Sequence, residues 1–179
     1  MTRKARVIVW LASMTLALIA LAGGWLFRYS FRDPQAALLD FCEAKGRAND
    51  QLMDPLILCG RKVVPLVLDA LRDPDMPRRG YAIRFLGHRS YREAIPVLEE
   101  ILNNDTEVIY FRAAALRSLY LIDHELGQAH AKRFVDRGDP DDRFPDNDFL
   151  AVTSKDILRG DPHLEYRRTW WQARIGWHE

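Results

Sequence analysis

The chain of 179 residues carries 26 Lys and Arg against 25 Asp and Glu, with five His and two Cys. Taking Arg3, Lys4 and Arg6 from the 26 leaves 23 basic against 25 acidic residues in the remainder. That balance lacks the basic excess of a general nucleic-acid binder, and the length after the N-terminal segment suffices for one domain.

The N-terminus predicts a membrane anchor. Residues 7–27 read "VIVWLASMTLALIALAGGWLF" and contain no charged side chain. As a helix they span about 31 Å at ~1.5 Å per residue, which matches the hydrocarbon thickness of a bilayer. Trp10 near one end and Trp25, Phe27 and Tyr29 near the other occupy the places of interfacial aromatics. We therefore expect residues 1–32 to form one transmembrane helix.

A cleaved secretory signal, with Ala20-Leu21-Ala22 before the cut, is the alternative to this anchor. The apolar run continues past that point through Trp25-Leu26-Phe27, which favours an uncleaved, single-pass anchor. Three cations precede the span and two follow it closely, so the positive-inside bias predicts a cytoplasmic N-terminus and a periplasmic or other extracytoplasmic body.

Small residues follow one side of the predicted anchor. Ser13, Ala17, Ala20 and Gly24 are four, three and four residues apart, a spacing that could seat a second transmembrane helix. Alanine and glycine are common in such segments, so the stripe is also compatible with no packing role.

The two cysteines lie in residues 33–60, which we expect to be a helical lead-in that caps the domain. Outside the cytosol Cys42 and Cys59 could form a disulfide, worth about 3 kcal/mol in the chain-entropy model. The alternative is that both are small buried hydrophobic residues.

An internal repeat follows the lead-in. "VVPLVLDALRDPD" at residues 63–75 returns as "AIPVLEEILNNDT" at residues 94–106, so that Pro65 and Pro96 are separated by 31 residues. A separation of 33 then recurs at Arg79 and Arg112, Ala82 and Ala115, Arg84 and Arg117, and Leu86 and Leu119. The length difference falls in a turn, where it rotates no helix face.

Each unit predicts two short helices. Val64, Val67 and Leu71 line one face of the first helix, with each proline in the opening turn, where its missing N–H removes no helical bond. The Asp73-Pro74-Asp75 turn separates the helices, and Gly87 is expected to end the second as a C-cap glycine.

The pattern over residues 63–122 resembles HEAT repeats, most closely the short variety grouped with phycobilisome-lyase-type HEAT-like proteins. The marks are the early proline, the D-P-D turn, Arg79 and Arg112, the alanine-rich second helix and the closing L-G. Arg78 departs from the pattern, because an apolar residue is usual there. The resemblance implies an all-α fold, a short α-solenoid with tandem repeats over residues 61–124 and a C-terminal cap over 125–179. It also implies that Pro65, Pro96, Arg79 and Arg112 are structural, the arginines tying turns between repeats.

The resemblance further places the second helices on a concave, partner-binding surface. If Tyr81, Ala82, Phe85 and Leu86 face inward, an outward stripe remains. We expect it to bind a protein partner; its members are Ile83, Arg84, Leu116 and Arg117. The alternative is that Ile83 and Leu116 pack beneath flanking helices.

The C-terminal cap is expected to contain a helix in "HELGQAHAKRFV", an acidic loop and two closing helices. The acids of this loop fail the calcium-loop pattern, because a loop counted from Asp139 has Arg143 at its fifth and Leu150 at its twelfth position. We therefore expect solvated acids and no metal. Tyr166, Trp170 and Trp177 share one side of the last helix, and Leu164, Trp171 and Ile175 share another. We expect the helix to cap the solenoid with one face; the alternative is that its other face meets a partner or the bilayer interface.

Motifs for catalysis are missing from the sequence. The five histidines form no HExxH or zinc pattern, and there is no G-x-S-x-G and no P-loop. We therefore expect no cofactor, no small-molecule substrate and no enzymatic activity, and a scaffold or accessory subunit that binds a membrane protein or complex. The competing hypotheses are a chromophore-lyase-like enzyme and an assembly factor or chaperone for a membrane complex.

Overall fold

The structure, a computed structural model, describes residues 10, 13–21, 23, 33–44, 51–136, 149–165, 167 and 169–175. Within them the regular structure is helical throughout. The α-helices are α1 (Pro34–Glu43), α2 (Asp54–Cys59), α3 (Val64–Ala70), α4 (Arg79–His88), α5 (Ile95–Asn103), α6 (Ile109–Ile122), α7 (His124–Phe134), α8 (Phe149–Arg159) and α9 (Trp170–Ile175). Short 3-10 turns lie at Gly60–Val63, Arg92–Ala94 and Pro162–Glu165.

Local sequence explains where several helices begin. Asp33 caps α1 by accepting a hydrogen bond from the Ala36 amide at 2.9 Å. Pro65 and Pro96 lie in the first turns of α3 and α5, and both are exposed. Asp123 extends the chain between α6 and α7 and caps α7 through the Leu126 amide at 3.2 Å.

Helix pairs stack in chain order. The two repeat units are α3 with α4 and α5 with α6, and the second helices α4, α6 and α8 are neighbours because α6 packs against both α4 and α8. Helices α7 and α8 pack on each other and on α6, so the cap begins with a third helix pair. The all-α architecture of helix pairs fits an α-solenoid.

One apolar core runs through the described part of the chain. It extends from Ala37 and Phe41 in α1 through both repeat units to Ala173 in α9. Helix α9 packs against α2, so the chain end returns to the lead-in helix. Helix α6 is the centre of the core, because it contacts α4, α5, α7 and α8.

Gly87 does not end α4, contrary to the prediction. The helix continues to His88, and a Cβ on Gly87 would lie 2.6 Å from the Cα of Ser118 in α6. The glycine is required because the backbones of α4 and α6 touch there. The chain leaves the helix through Ser90, whose φ of 52° is left-handed.

The predicted anchor lies partly outside the described residues. Residues 13–21 are helical, and Ser13, Ala17 and Ala20 are exposed, whereas Gly24 lies outside the described residues. None of the helices in the described part of the chain has the length and apolar character needed to span a membrane.

The cysteines are not bonded to each other. Cys42 and Cys59 are reduced thiols, both half-buried. Burial raises the pKa of the Cys42 thiol. The acidic loop at residues 139–148, like Tyr166 and Trp177, lies outside the described residues. Among the residues that are described, no group of His, Cys, Asp and Glu could hold a metal ion.

Candidate functional site

The expected exposed stripe is wrong for its two apolar members. Ile83 and Leu116 are both 0% exposed. The reason is that the second helices are covered on more than one side. Helix α6 packs between the second helices α4 and α8, and it also contacts α5, α7 and the turn at Pro162–Glu165. The alternative, packing beneath flanking elements, is what the structure shows.

A segment after α8 covers the C-terminal halves of α4 and α6; we call residues 161–165 and 167 the strap. Arg167 donates to Ser90 Oγ at 2.7 Å and to the Leu121 carbonyl at 2.9 Å, and Ser90 Oγ donates to the same carbonyl at 3.1 Å. Leu164 of the strap is buried. The strap therefore closes part of the second-helix row from within the chain.

Arg117 holds the strap on α6. Its Nε donates to the Leu164 carbonyl at 3.2 Å, and its Nη2 donates to the carbonyls of Leu164 at 3.0 Å and His163 at 3.1 Å. Burial lowers the pKa of Arg117, and the neighbouring charge of Arg84 adds to the effect. Arg117 thus binds a segment of its own chain.

Arg84 lies in a different environment. It is half-buried on α4, with its guanidinium carbon 5.8 Å from the ring centre of Tyr81 and 5.7 Å from that of Tyr110. Its Nε is buried without a hydrogen-bond partner. Tyr110 in turn meets Phe149 edge-on, with centroids 5.9 Å apart and planes at 88°. Phe149 is 50% exposed.

These four residues form the aromatic–arginine face: Tyr81, Arg84, Tyr110 and Phe149. Each aromatic residue lies in the first turn of its helix, Tyr81 in α4, Tyr110 in α6 and Phe149 in α8. The aromatic residues of the face therefore lie at the N-terminal ends of three successive second helices, while the strap covers the C-terminal halves of α4 and α6. An aromatic residue near the start of each second helix is a signal in the sequence from which this face could be predicted.

His88 marks the electrostatic character of the region between the face and the strap. Its pKa is lowered to about 4, first by burial and then by the positive charges of Arg117, Arg84 and Arg167. The imidazole is accordingly neutral at pH 7, and the three guanidinium groups give this part of the surface a positive potential.

Arg79 holds the turn of the first unit. Its Nη1 donates to the carbonyls of Leu71 and Asp73, and its Nη2 pairs with Glu107 at 2.9 Å. Both side chains of that ion pair are buried, and Glu107 belongs to the turn of the next unit. The Arg79 side chain therefore ties the two turns together.

Arg112 holds the turn of the second unit, and its contacts lie within that unit. Its Nε donates to the Leu102 carbonyl at 2.9 Å, and its Nη2 pairs with Asp105 at 2.9 Å. Arg78, the departure from the repeat pattern, has a left-handed φ of 59° and donates to the Phe41 and Ala44 carbonyls, which ties the first unit to α1.

A cavity of about 240 Å³ lies beside Arg79. Its ionisable lining includes the Arg79–Glu107 pair, whose charged groups are already engaged with each other and with backbone carbonyls. The cavity therefore belongs to the structural turn contacts.

The family comparison agrees with this geometry. The profile of the family described as HEAT repeats matches residues 56–143, from α2 to beyond the end of α7. Residues 56–143 are therefore similar to HEAT repeats. Searches of curated proteins and of solved structures gave no match. HEAT repeats generally serve as protein-interaction scaffolds and are typically non-catalytic.

Proposed function

We propose that this HEAT-like protein is a non-catalytic scaffold that holds a partner protein on the aromatic–arginine face. The observation that carries the proposal is the exposed Phe149 beside Tyr110, Arg84 and Tyr81, on the half of the second-helix row that the strap leaves open. Tyr, Phe and Arg are enriched in protein interfaces, and Tyr and Arg are common among the residues that contribute most to binding.

Buried polar side chains support a scaffold over an enzyme. Ser118 donates to the Ile83 carbonyl at 3.0 Å, and Ser154 donates to the Leu150 carbonyl at 2.7 Å. His130 contacts Glu99 at 2.9 Å and Arg133 at 3.2 Å through its two ring nitrogens. These groups are used within the fold, so none of them is arranged as a nucleophile with its base.

The proposal includes attachment to a membrane. Residues 7–27 would form a single-pass anchor with a cytoplasmic N-terminus and an extracytoplasmic domain, and the protein would be an accessory subunit of a membrane complex. Support comes from the sequence and from exposed apolar side chains in the N-terminal helical segment, among them Trp10, Leu16, Ile19 and Leu21. The early prolines and the D-P-D turn support the short, lyase-grouped variety of HEAT-like repeat.

The test is affinity capture of the full chain in mild detergent, comparing Phe149→Ser with Leu39→Ser. Leu39 is 56% exposed on α1, so this control removes a similar apolar surface away from the face. We expect a stoichiometric partner with the wild-type chain and with Leu39→Ser, and its loss with Phe149→Ser at an unchanged circular dichroism spectrum. No stoichiometric partner, or equal loss in both variants, refutes the proposed site. Bound pigment after co-expression with a bilin would favour the chromophore-lyase hypothesis.

A further inference from the structure

Equivalent positions of the two repeat units use their arginines differently. Arg84 and Arg117 lie 33 residues apart on α4 and α6, which pack side by side. Arg117 donates to two carbonyl oxygens of the strap. Arg84 makes no hydrogen bond or ion pair within the described part of the chain, and its buried Nε has no acceptor.

The environment of Arg84 costs free energy when no partner is bound. A buried donor without an acceptor has lost water and gained nothing in return. Arginine side chains stay protonated in proteins, so this cost is not relieved by loss of a proton. In the described residues neither Arg84, Arg117 nor Arg167 pairs with a carboxylate, so the three positive charges also repel one another.

We propose that Arg84 binds a carboxylate from an acidic segment of the partner protein, which crosses α4 and α6 beside the strap. The inference rests on the proposed scaffold function and names the chemistry of its partner. The choice of ligand follows from charge complementarity. Arg84, Arg117 and Arg167 pair with no carboxylate of the described residues, so this surface attracts an anion. A guanidinium group can form two parallel hydrogen bonds to one carboxylate.

The strap shows how such a segment would be held. The backbone oxygens of His163 and Leu164 in the strap accept hydrogen bonds from Arg117, whereas Arg84 has no acceptor of this kind among the described residues. A partner segment lying next to it would meet Arg84 between the rings of Tyr81 and Tyr110, which flank the guanidinium at 5.8 and 5.7 Å. The chain after its first apolar run has no basic excess, so the cluster is suited to a short acidic peptide and not to a nucleic-acid backbone.

His88 offers a readout that a merely structural arginine would not change. The three nearby cations help to keep its pKa at about 4. A carboxylate bound at Arg84 compensates part of that charge, so the pKa of His88 rises on binding. Titration of the His88 ring resonances by NMR, with and without the peptide, measures this rise.

The probe is a random 12-residue peptide library displayed on phage and selected on the full chain in mild detergent. We expect enrichment of peptides rich in Asp and Glu. A selected peptide, labelled with fluorescein, should bind Arg84→Gln at least about tenfold more weakly than wild type, a change of about 1.4 kcal/mol. Arg72→Gln, which removes a 79% exposed arginine from the first turn, should bind like wild type. Replacing the acids of the peptide by amides should weaken binding as Arg84→Gln does.

Stability separates a binding role from a folding role. Because Arg84→Gln removes a donor that the fold does not satisfy, its melting temperature should equal or exceed that of wild type. A variant that melts markedly lower shows that Arg84 is structural, and it overturns the inference.

The other outcomes are equally decisive. Selected peptides without an acidic bias that still require Phe149 overturn the acidic partner and leave the scaffold intact. An oligonucleotide of random sequence that binds more tightly than the peptides overturns the choice of a protein segment. Self-association that disappears in Arg84→Gln assigns the face to a second copy of the chain and also overturns it. If no peptide is selected and no partner is captured, the proposed scaffold function is refuted as well.

Discussion

Gly87→Ala tests how closely the repeat units stack. A Cβ at this position would lie 2.6 Å from Cα and 2.7 Å from both Cβ and Oγ of Ser118. Ordinary contacts between carbon atoms are about 3.5–4.0 Å, so α4 and α6 must move apart by about 1 Å. The Cα atom belongs to the backbone, so turning the Ser118 side chain cannot relieve the clash.

Two opposite effects determine the expected size of the change. Replacing a helical glycine by alanine favours the helix by about 1 kcal/mol. Overpacking costs about 1–3 kcal/mol, and the separation weakens the hydrogen bond from Ser118 to Ile83, worth about 1 kcal/mol. We therefore expect a net loss of about 2 kcal/mol, which for a domain of this size lowers the melting temperature by about 4–8 °C.

The assay is thermal unfolding of the full chain in detergent, followed by circular dichroism at the helical band. Gly80→Ala is the matched control on the same helix, because its nearest contact is the end of the Tyr110 ring, which can turn away. It should lower the free energy of unfolding by no more than about 0.5 kcal/mol, and a gain from helix propensity is compatible with its role as control. A Gly87→Ala protein as stable as wild type, or more stable, would show that helix propensity wins and that α4 and α6 are not in backbone contact.

Three further predictions follow from burial and charge. Ile83→Asp should abolish cooperative thermal unfolding because it places a carboxylate in the core, and a folded variant that merely lost partner binding would contradict this assignment. Arg79→Gln should lower the free energy of unfolding by about 3–5 kcal/mol in urea titrations, since it leaves the buried Glu107 without its cation. Asp105→Asn should cost less than about 1 kcal/mol, because the exposed asparagine keeps an oxygen that accepts from Arg112. The pKa of His88 is about 4 in the fold and ordinarily about 6.5, so the unfolded chain takes up its proton first and stability falls as the pH drops from 6.5 towards 4. The loss at pH 5 should be about 2 kcal/mol relative to pH 7 and should be absent from His88→Gln; an equal loss in both proteins would refute the role of His88.

The repeat could be predicted from local signals. Pro65 and Pro96 each lie in the first turn of a helix, because the reason for a proline there involves only its own missing N–H. Helices α1 and α2 lie in the expected lead-in, and α7 lies in the segment whose apolar residues predict a helix after the repeats. The caps at Asp33 and Asp123 were not predicted. Among the described residues the last α-helix begins at Trp170, and the turn at Pro162–Glu165 precedes it.

The predictions that failed concern contacts between distant parts of the chain. Gly87 was expected to end a helix, and its role is visible only when Ser118, 31 residues later, lies against it. Ile83 and Leu116 were expected to be exposed, as they would be on an isolated helix pair. Periodicity within a helix shows which residues share a face, but it does not show how many faces are covered.

The sequence by itself determined that this protein is a stack of helix pairs, because the pairing of apolar faces, the opening prolines and the turn arginines all repeat along the chain. Only the tertiary structure decided which surface is left for a partner. Arg84 and Arg117 are equivalent in the sequence, yet one holds the strap and the other lies between two tyrosines without an acceptor. That distinction depends on a segment almost fifty residues downstream folding back over α6, and the physical reason is that a guanidinium is satisfied by whichever oxygens the fold brings to it.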